Sequence, residues 1–242
     1  ADNGIYTVTV TVTDDDGGVG SDTLTVTVSN AAAAVEAGVD QTADEGATVS
    51  LDPATFTDAG TGDTHTAEID WGDGTVEAGT VTQGVGSGSV SGSHEYADNA
   101  NYTVTVTVTD DDGDSASDTF AVTVGNVAPA YLPPLDQGSN EAENKTFELG
   151  TFTDAGSGDT HTATVDWGDG AAVENLNGGL AVTSPLSAAH TYADDGTYTV
   201  TVTVTDDDGD IASGTFDVTV SNVAPAVEAG SDQSAEIGRA HV

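Results

Sequence analysis

Asp110, Asp112 and Asp114 stand at alternate positions after a Thr/Val run, and Asp206, Asp208 and Asp210 repeat the arrangement 96 residues later. A first copy keeps Asp14 and Asp16 and then has Gly18. Such carboxylates are hard oxygen donors, and the chemistry they suggest is coordination of Ca²⁺, which takes roughly six to eight oxygens. They do not form an EF-hand, because the Gly is misplaced and no Glu follows at the twelfth position. His65, His94, His161 and His190 are the other candidate ligands. Zinc needs three or four converging ligands and no tight pair is visible, so structural histidines near strand ends are expected instead. Catalysis has little to work with. There is no Cys, no G-x-S-x-G elbow, no phosphate loop and no H-E-x-x-H. Acid/base work by the many carboxylates would need one with a raised pKa in a cleft, and no catalytic residue is assigned. Asn101-Tyr102-Thr103 and Asn144-Lys145-Thr146 are glycosylation sequons, near chance in number.

The elements that must position these carboxylates are strands. Tyr102, Val104, Val106 and Val108 alternate with Thr103, Thr105 and Thr107, the period-two pattern of a strand with one buried and one wet face. Asp110-Asp111-Asp112-Gly113 is a turn signal, and Phe120, Val122 and Val124 mark the return strand of a hairpin. His65, Ala67, Ile69 and Trp71 share a strand face that ends at Gly72-Asp73-Gly74, where Asp73 shapes a tight turn. Weaker strands are read at Val35 to Val39 and from Val49 to Phe56. No segment has a helical period. About seven short strands per repeat, with turn signals every 8 to 12 residues, predict an all-β fold of tandem antiparallel β-sandwiches. Trp71, Val104, Val106 and Phe120 should lie inside one unit, and Trp167, Val200, Val202 and Phe216 inside the next.

Repetition fixes the domain plan. YTVTVTVTDDDG recurs unchanged from Tyr6, Tyr102 and Tyr198, and FTDAGTGDTHTAEIDWGDG from Phe56 differs from its copy at Phe152 at three of nineteen positions. A 96-residue period suits an independently folding small domain. Boundaries fall at Ser29, Gly125 and Ser221, where Pro129 and Pro225 stiffen the linkers. The expected layout is a C-terminal hairpin at 1–30, whole repeats at 31–126 and 127–222, and the start of another at 223–242. The hairpin should fray without an opposite sheet. Residues 236–242 have no counterpart in the repeats and resemble a translated sequencing adapter, so they are read as a non-native tail. Two Lys+Arg against 42 Asp+Glu give a formal net charge of -40. Such a polyanion is repelled by nucleic acid and by anionic membrane surfaces. No apolar run reaches transmembrane length.

Trp71-Gly72-Asp73-Gly74, His94-Glu95-Tyr96 and Tyr102-Thr103-Val104, with Trp167-Gly168-Asp169-Gly170, His190-Thr191-Tyr192 and Gly196-Thr197-Tyr198, resemble the polycystic-kidney-disease (PKD) domain. One residue is missing between Trp and Gly-Asp-Gly, and Ala100-Asn101 stands where the family prefers Gly. The resemblance implies immunoglobulin-like sandwiches that are extracellular or cell-surface, often tandem and non-catalytic. In that topology the loop between the last two strands shares a pole with the loop after the second strand and with the incoming linker. Asn126, Asp154, Asp159, Asp206 and Asp208 would then converge on Ca²⁺ at one junction, and Asn30, Asp58, Asp63, Asp110 and Asp112 at the one before. The competing reading of the acidity is halophilic, since strong brine screens repulsion within about 3 Å at 1 M salt. The function expected is a structural or adhesive spacer of a secreted or cell-surface protein, with neighbouring repeats and extracellular protein or polysaccharide as partners. The alternative is an accessory module of a secreted hydrolase, binding polysaccharide or protein substrate.

Overall fold

The computed structural model describes residues 3–234 and Gly238, so the non-native tail expected at 236–242 lies outside the described residues apart from Gly238. By its contacts the chain divides into two compact units. One comprises Ala1–Ala130, Thr153–His161 and Thr205–Ile211; the other comprises Tyr131–Phe152, Thr162–Val204 and Ala212–Val242. Both are built mainly from antiparallel β-layers, the sandwich expected from the strand pattern and the immunoglobulin-like class that the PKD resemblance implied.

In the first unit, Ala100–Asp110 pairs with Ser115–Gly125 on one side and with His65–Asp70 on the other. The strand Val76–Gly84 joins the two layers. Its first half pairs with His65–Asp70 and its second half with Ser87–Ser91, which continues to Ala54–Thr57 and Ala34–Glu36. Thr48–Ser50 and Ser93–Glu95 form a separate pair. Val104, Val106, Val108, Phe120, Val122 and Val124 close on Phe56, Ile69, Trp71, Val90 and Tyr96 in a single core. Alternation decides this arrangement, because a slip of one residue would turn the Val face to water and the Thr face inward. Gln41–Asp44 departs from the expectation of antiparallel pairing alone, since it runs parallel to Ser115–Gly125.

The second unit repeats the core with Phe147, Trp167, Tyr192, Val200, Val202, Val204, Phe216, Val218 and Val220. Its strand Gln137–Asn140 again pairs in parallel, here with Ile211–Ser221. Where the first repeat has the long hairpin over 76–91, the second has only Glu174–Asn175 and a 3₁₀ turn, Leu176–Gly179. Asn177, Gly178 and Gly179 all take positive φ there, which ends a ladder.

The hairpin Gly4–Thr13 with Val19–Val28 is paired over ten residues instead of frayed. Its cross-strand Val, Thr and Leu pairs support the ladder. It gains much less from burial than the whole repeats, since Val10 is 53% exposed while Val106 in the identical motif is 0% exposed.

Candidate functional site

Each Asp-Asp-Asp-Gly turn is organised by its first carboxylate. Asp110 Oδ1 accepts the amides of Asp112 and Asp114, at 3.1 and 2.9 Å, and its Oδ2 accepts the Asn30 side-chain amide at 2.8 Å. Burial works against ionisation of Asp110, but the Asn30 amide and the backbone N–H groups of Asp114, Gly113 and Asp112 outweigh it and hold its pKa low. Asp206 likewise accepts the amides of Gly209 and Asp210 through Oδ1, at 2.7 and 2.8 Å, and the Asn126 side-chain amide through Oδ2 at 3.1 Å. Asn126 Nδ2 also donates to Asp210 and Asn30 Nδ2 to Asp114. These four residues of the expected calcium set are therefore held first by hydrogen bonds. Short Asp and Asn side chains satisfy turn amides in this way wherever the strand period stops.

Asp58 and Asp154 sit beside histidines. His65 Nε2 lies 2.9 Å from Asp58 Oδ2, and His161 Nε2 lies 2.8 Å from Asp154 Oδ2. Asp63 is buried and groups with the exposed Asp111 and Asp112. The corresponding Asp159 groups with Asp98 and Asp208, and also with Glu45 and Asp154; within each group the carboxylate oxygens lie within 4.8 Å of one another. Every one of these residues belongs to the first unit.

Glu45 and Asp98 were not singled out in the sequence. Their only mark is recurrence at the repeat period, as Glu141 and Asp194. Glu45 is 1% exposed; its Oε1 accepts the Val127 amide at 2.7 Å, and its Oε2 is buried with no hydrogen-bond partner. Both oxygens of Asp159 are likewise shielded and accept no hydrogen bond. Burial raises the pKa of Asp159 to about 6, with Glu45, Asp154, Asp207 and Asp98 adding repulsion. Burial also raises that of Glu45, against the Val127 amide and with help from Asp154, Asp98 and Asp208.

The remaining histidines are structural. His94 Nε2 meets Asp73 Oδ2 at 2.7 Å, stacks on Trp71 with centroids 5.1 Å apart, and lies beside Tyr96, whose hydroxyl donates to the Trp71 carbonyl. The second unit repeats this with His190, Asp169, Trp167 and Tyr192. Burial opposes ionisation of Asp73, yet hydrogen bonds from His94 and Thr75 hold its pKa below the ordinary range. A carboxylate with a depressed native pKa stabilises the fold above its unfolded value of about 4, and that gain disappears as pH falls through the native value. Asp73→Asn should therefore be less stable than wild type at pH 6, with the difference vanishing toward pH 2. Denaturant midpoints across that range measure it, and a constant difference would contradict it.

A family model for the PKD domain matches residues 30–124 and 126–220. Among solved structures, the PKD domain of an M14-like peptidase from a Thermoplasmatales archaeon is 27% identical, covering 40% of this chain and 98% of that one, with a TM-score of 0.32. The human desmocollin-1 ectodomain is 13% identical over 90% of this chain, with a TM-score of 0.37; this chain spans 47% of its length. Drosophila N-cadherin EC1-4 is 15% identical, covering 92% of this chain and 59% of that one, with a TM-score of 0.36. No curated protein matches.

Proposed function

The chain belongs to the PKD domain family, and from that premise we propose that its repeats are non-catalytic spacer modules of a secreted or cell-surface multi-repeat protein, stiffened by calcium. The observation that carries this reading is the treatment of the linker. Asn126 donates to Asp206 and Asp210 of the repeat it enters, while the amide of the next residue, Val127, donates to Glu45 of the repeat it leaves. Asn30 makes the entering half of the same clamp with Asp110 and Asp114, and Val223 makes the leaving half with Glu141 at 2.8 Å. A freely jointed linker has no use for two adjacent residues tied in opposite directions. A spacer that must hold a direction does. The calcium part of the reading assigns Asn126, Asp154, Asp159, Asp206 and Asp208 to one ion, and Asn30, Asp58, Asp63, Asp110 and Asp112 to another, with oxygen-only donors suited to Ca²⁺.

One observation favours the accessory-module reading. A groove of about 760 Å³ in the second unit is lined by Leu132, Pro133, Pro134, Leu135, Pro185 and Leu186. It falls partly in 171–189, whose sequence differs almost throughout from 75–93 of the first repeat, as a ligand-adapted surface would.

Small-angle scattering in chelator tests the spacer. Breaking both halves of the clamp with Glu45→Ala and Asn126→Ala together should broaden the pair-distance distribution of the folded chain. An unchanged distribution overturns the stiff-spacer reading. Saturable binding to an insoluble polysaccharide that Leu135→Asp abolishes would establish the accessory reading in its place.

A further inference from the structure

We propose that Glu45, Asp154 and Asp159 form a divalent-cation site, with Asp98 and Asp208 at its rim, and that Ca²⁺ is the ion it takes. The inference deepens the calcium part of the proposed function and rests on it, but it moves the ion away from the Asn126–Asp206 pair and adds Glu45 and Asp98 to the residues assigned there.

Carboxylate clusters on so acidic a chain are common, and the cluster alone would carry nothing. The second observation is the state of Glu45. Its side chain is 1% exposed, Oε1 is spent on the Val127 amide, Oε2 is buried with no hydrogen-bond partner, and the carboxylate has an oxygen within 4.8 Å of oxygens of Asp154 and Asp159. A buried ionised carboxylate without a partner is strongly unfavourable, and folded proteins avoid it by pairing, protonation or metal binding. Pairing is closed off. The only Lys or Arg among the described residues is Lys145, which lies in the other unit and donates to the Gly138 carbonyl. His161 already faces Asp154 Oδ2. Asp159 presents two further shielded oxygens that accept nothing.

A cation is the better of the two remaining answers. A proton on Glu45 would still leave both shielded oxygens of Asp159 without a donor, whereas one divalent ion can meet the carboxylates of Glu45, Asp154 and Asp159 together. The neighbouring triad of Asp98, Asp159 and Asp208 shares Asp159 and adds carboxylates at the open side. All donors are oxygens, several are charged, and they come from separate loops, which suits the flexible coordination of Ca²⁺ better than the strict octahedron of Mg²⁺ or the N/S preference of zinc. By contrast, Asp206 has both oxygens engaged and Asn126 turns its amide nitrogen toward the carboxylates.

Calorimetric titration of the full chain with CaCl₂ in 1 M NaCl at pH 7.5 tests the site, because diffuse counterion attraction is screened there to about 3 Å. Wild type should bind Ca²⁺ saturably and Mg²⁺ more weakly. Glu45→Gln and Asp159→Asn should each weaken Ca²⁺ about tenfold or more, whereas Asp15→Asn in the exposed turn should leave it unchanged. Folding is checked by melting in EDTA, where Glu45→Gln should raise the Tm, since the amide keeps the Val127 hydrogen bond and removes the unneutralised charge. A lower Tm for that variant in EDTA overturns the proposal. If Asp206→Asn abolishes Ca²⁺ binding while Glu45→Gln spares it, the ion sits with Asn126; this assignment then fails and the calcium reading survives. If wild type binds no Ca²⁺, both calcium claims fail, and the scattering experiment still decides the spacer.

Discussion

Replacing Trp71 with Ala is expected to destabilise its unit by about 3–5 kcal/mol, the usual cost of emptying an aromatic site in a close-packed core. Trp71 is fully buried, stacks on His94, and donates its indole N–H to Glu77 Oε2 at 3.1 Å. Its carbonyl also receives the Tyr96 hydroxyl, so the cavity would open beside a second buried aromatic. Trp167 has the same surroundings in Glu174, His190 and Tyr192, and its Ala variant should behave alike. Val10→Ala is the control. It alters the same sequence motif, but on the half-exposed hairpin face, and should change stability by less than about 0.5 kcal/mol. Urea unfolding followed by circular dichroism measures all three. A loss below about 1 kcal/mol for Trp71→Ala would mean that the core does not depend on it.

That contrast also shows how far the sequence could be read. The Val/Thr runs declare strands because period two and β-branching agree, and Trp71, Val104, Val106 and Phe120 lie inside as their alternation requires. What alternation cannot say is whether a face is covered. In the same twelve-residue motif the valine face is buried at Val104, Val106 and Val108 and exposed at Val8, Val10 and Val12. The segments 75–93 and 171–189 were illegible for a related reason. Their sequences diverge, and local turn chemistry at Asn177, Gly178 and Gly179 replaces a hairpin with a 3₁₀ turn. Among the carboxylates, residue type was legible and role was not. Asp110 and Asp206 spend one oxygen on their own turns and the other on Asn30 and Asn126, whereas Glu45, at an unremarkable turn, keeps one oxygen free of any hydrogen bond. Distinguishing a turn cap from a potential ligand requires knowing which amides lie within reach, and those are fixed only by the tertiary fold.

Gly72 is expected to tolerate no side chain, and Gly72→Ala should cost about 2–5 kcal/mol. The backbone there has φ of +83°, a region where an L-residue loses about 1–2 kcal/mol. An added Cβ would also lie 2.5 Å from the Thr103 carbonyl oxygen and 3.0 Å from its amide nitrogen. Thr103 belongs to the central strand Ala100–Asp110, so neither atom can retreat without disturbing the ladder, and such overpacking costs about 1–3 kcal/mol more. Gly74, two residues on, separates the two effects. Its φ is +96°, yet nothing lies within 4 Å of the position a Cβ would take, so Gly74→Ala should show only the conformational cost of about 1–2 kcal/mol. Between them Asp73 caps Thr75 through Oδ1 and holds His94 through Oδ2, which anchors the turn against Trp71. Displacing Gly72 should therefore also move the indole and redden its fluorescence in the folded state, while Gly74→Ala leaves the spectrum unchanged. Equal stability losses for the two variants would show that the close approach of the turn to the Thr103 backbone does not constrain the fold.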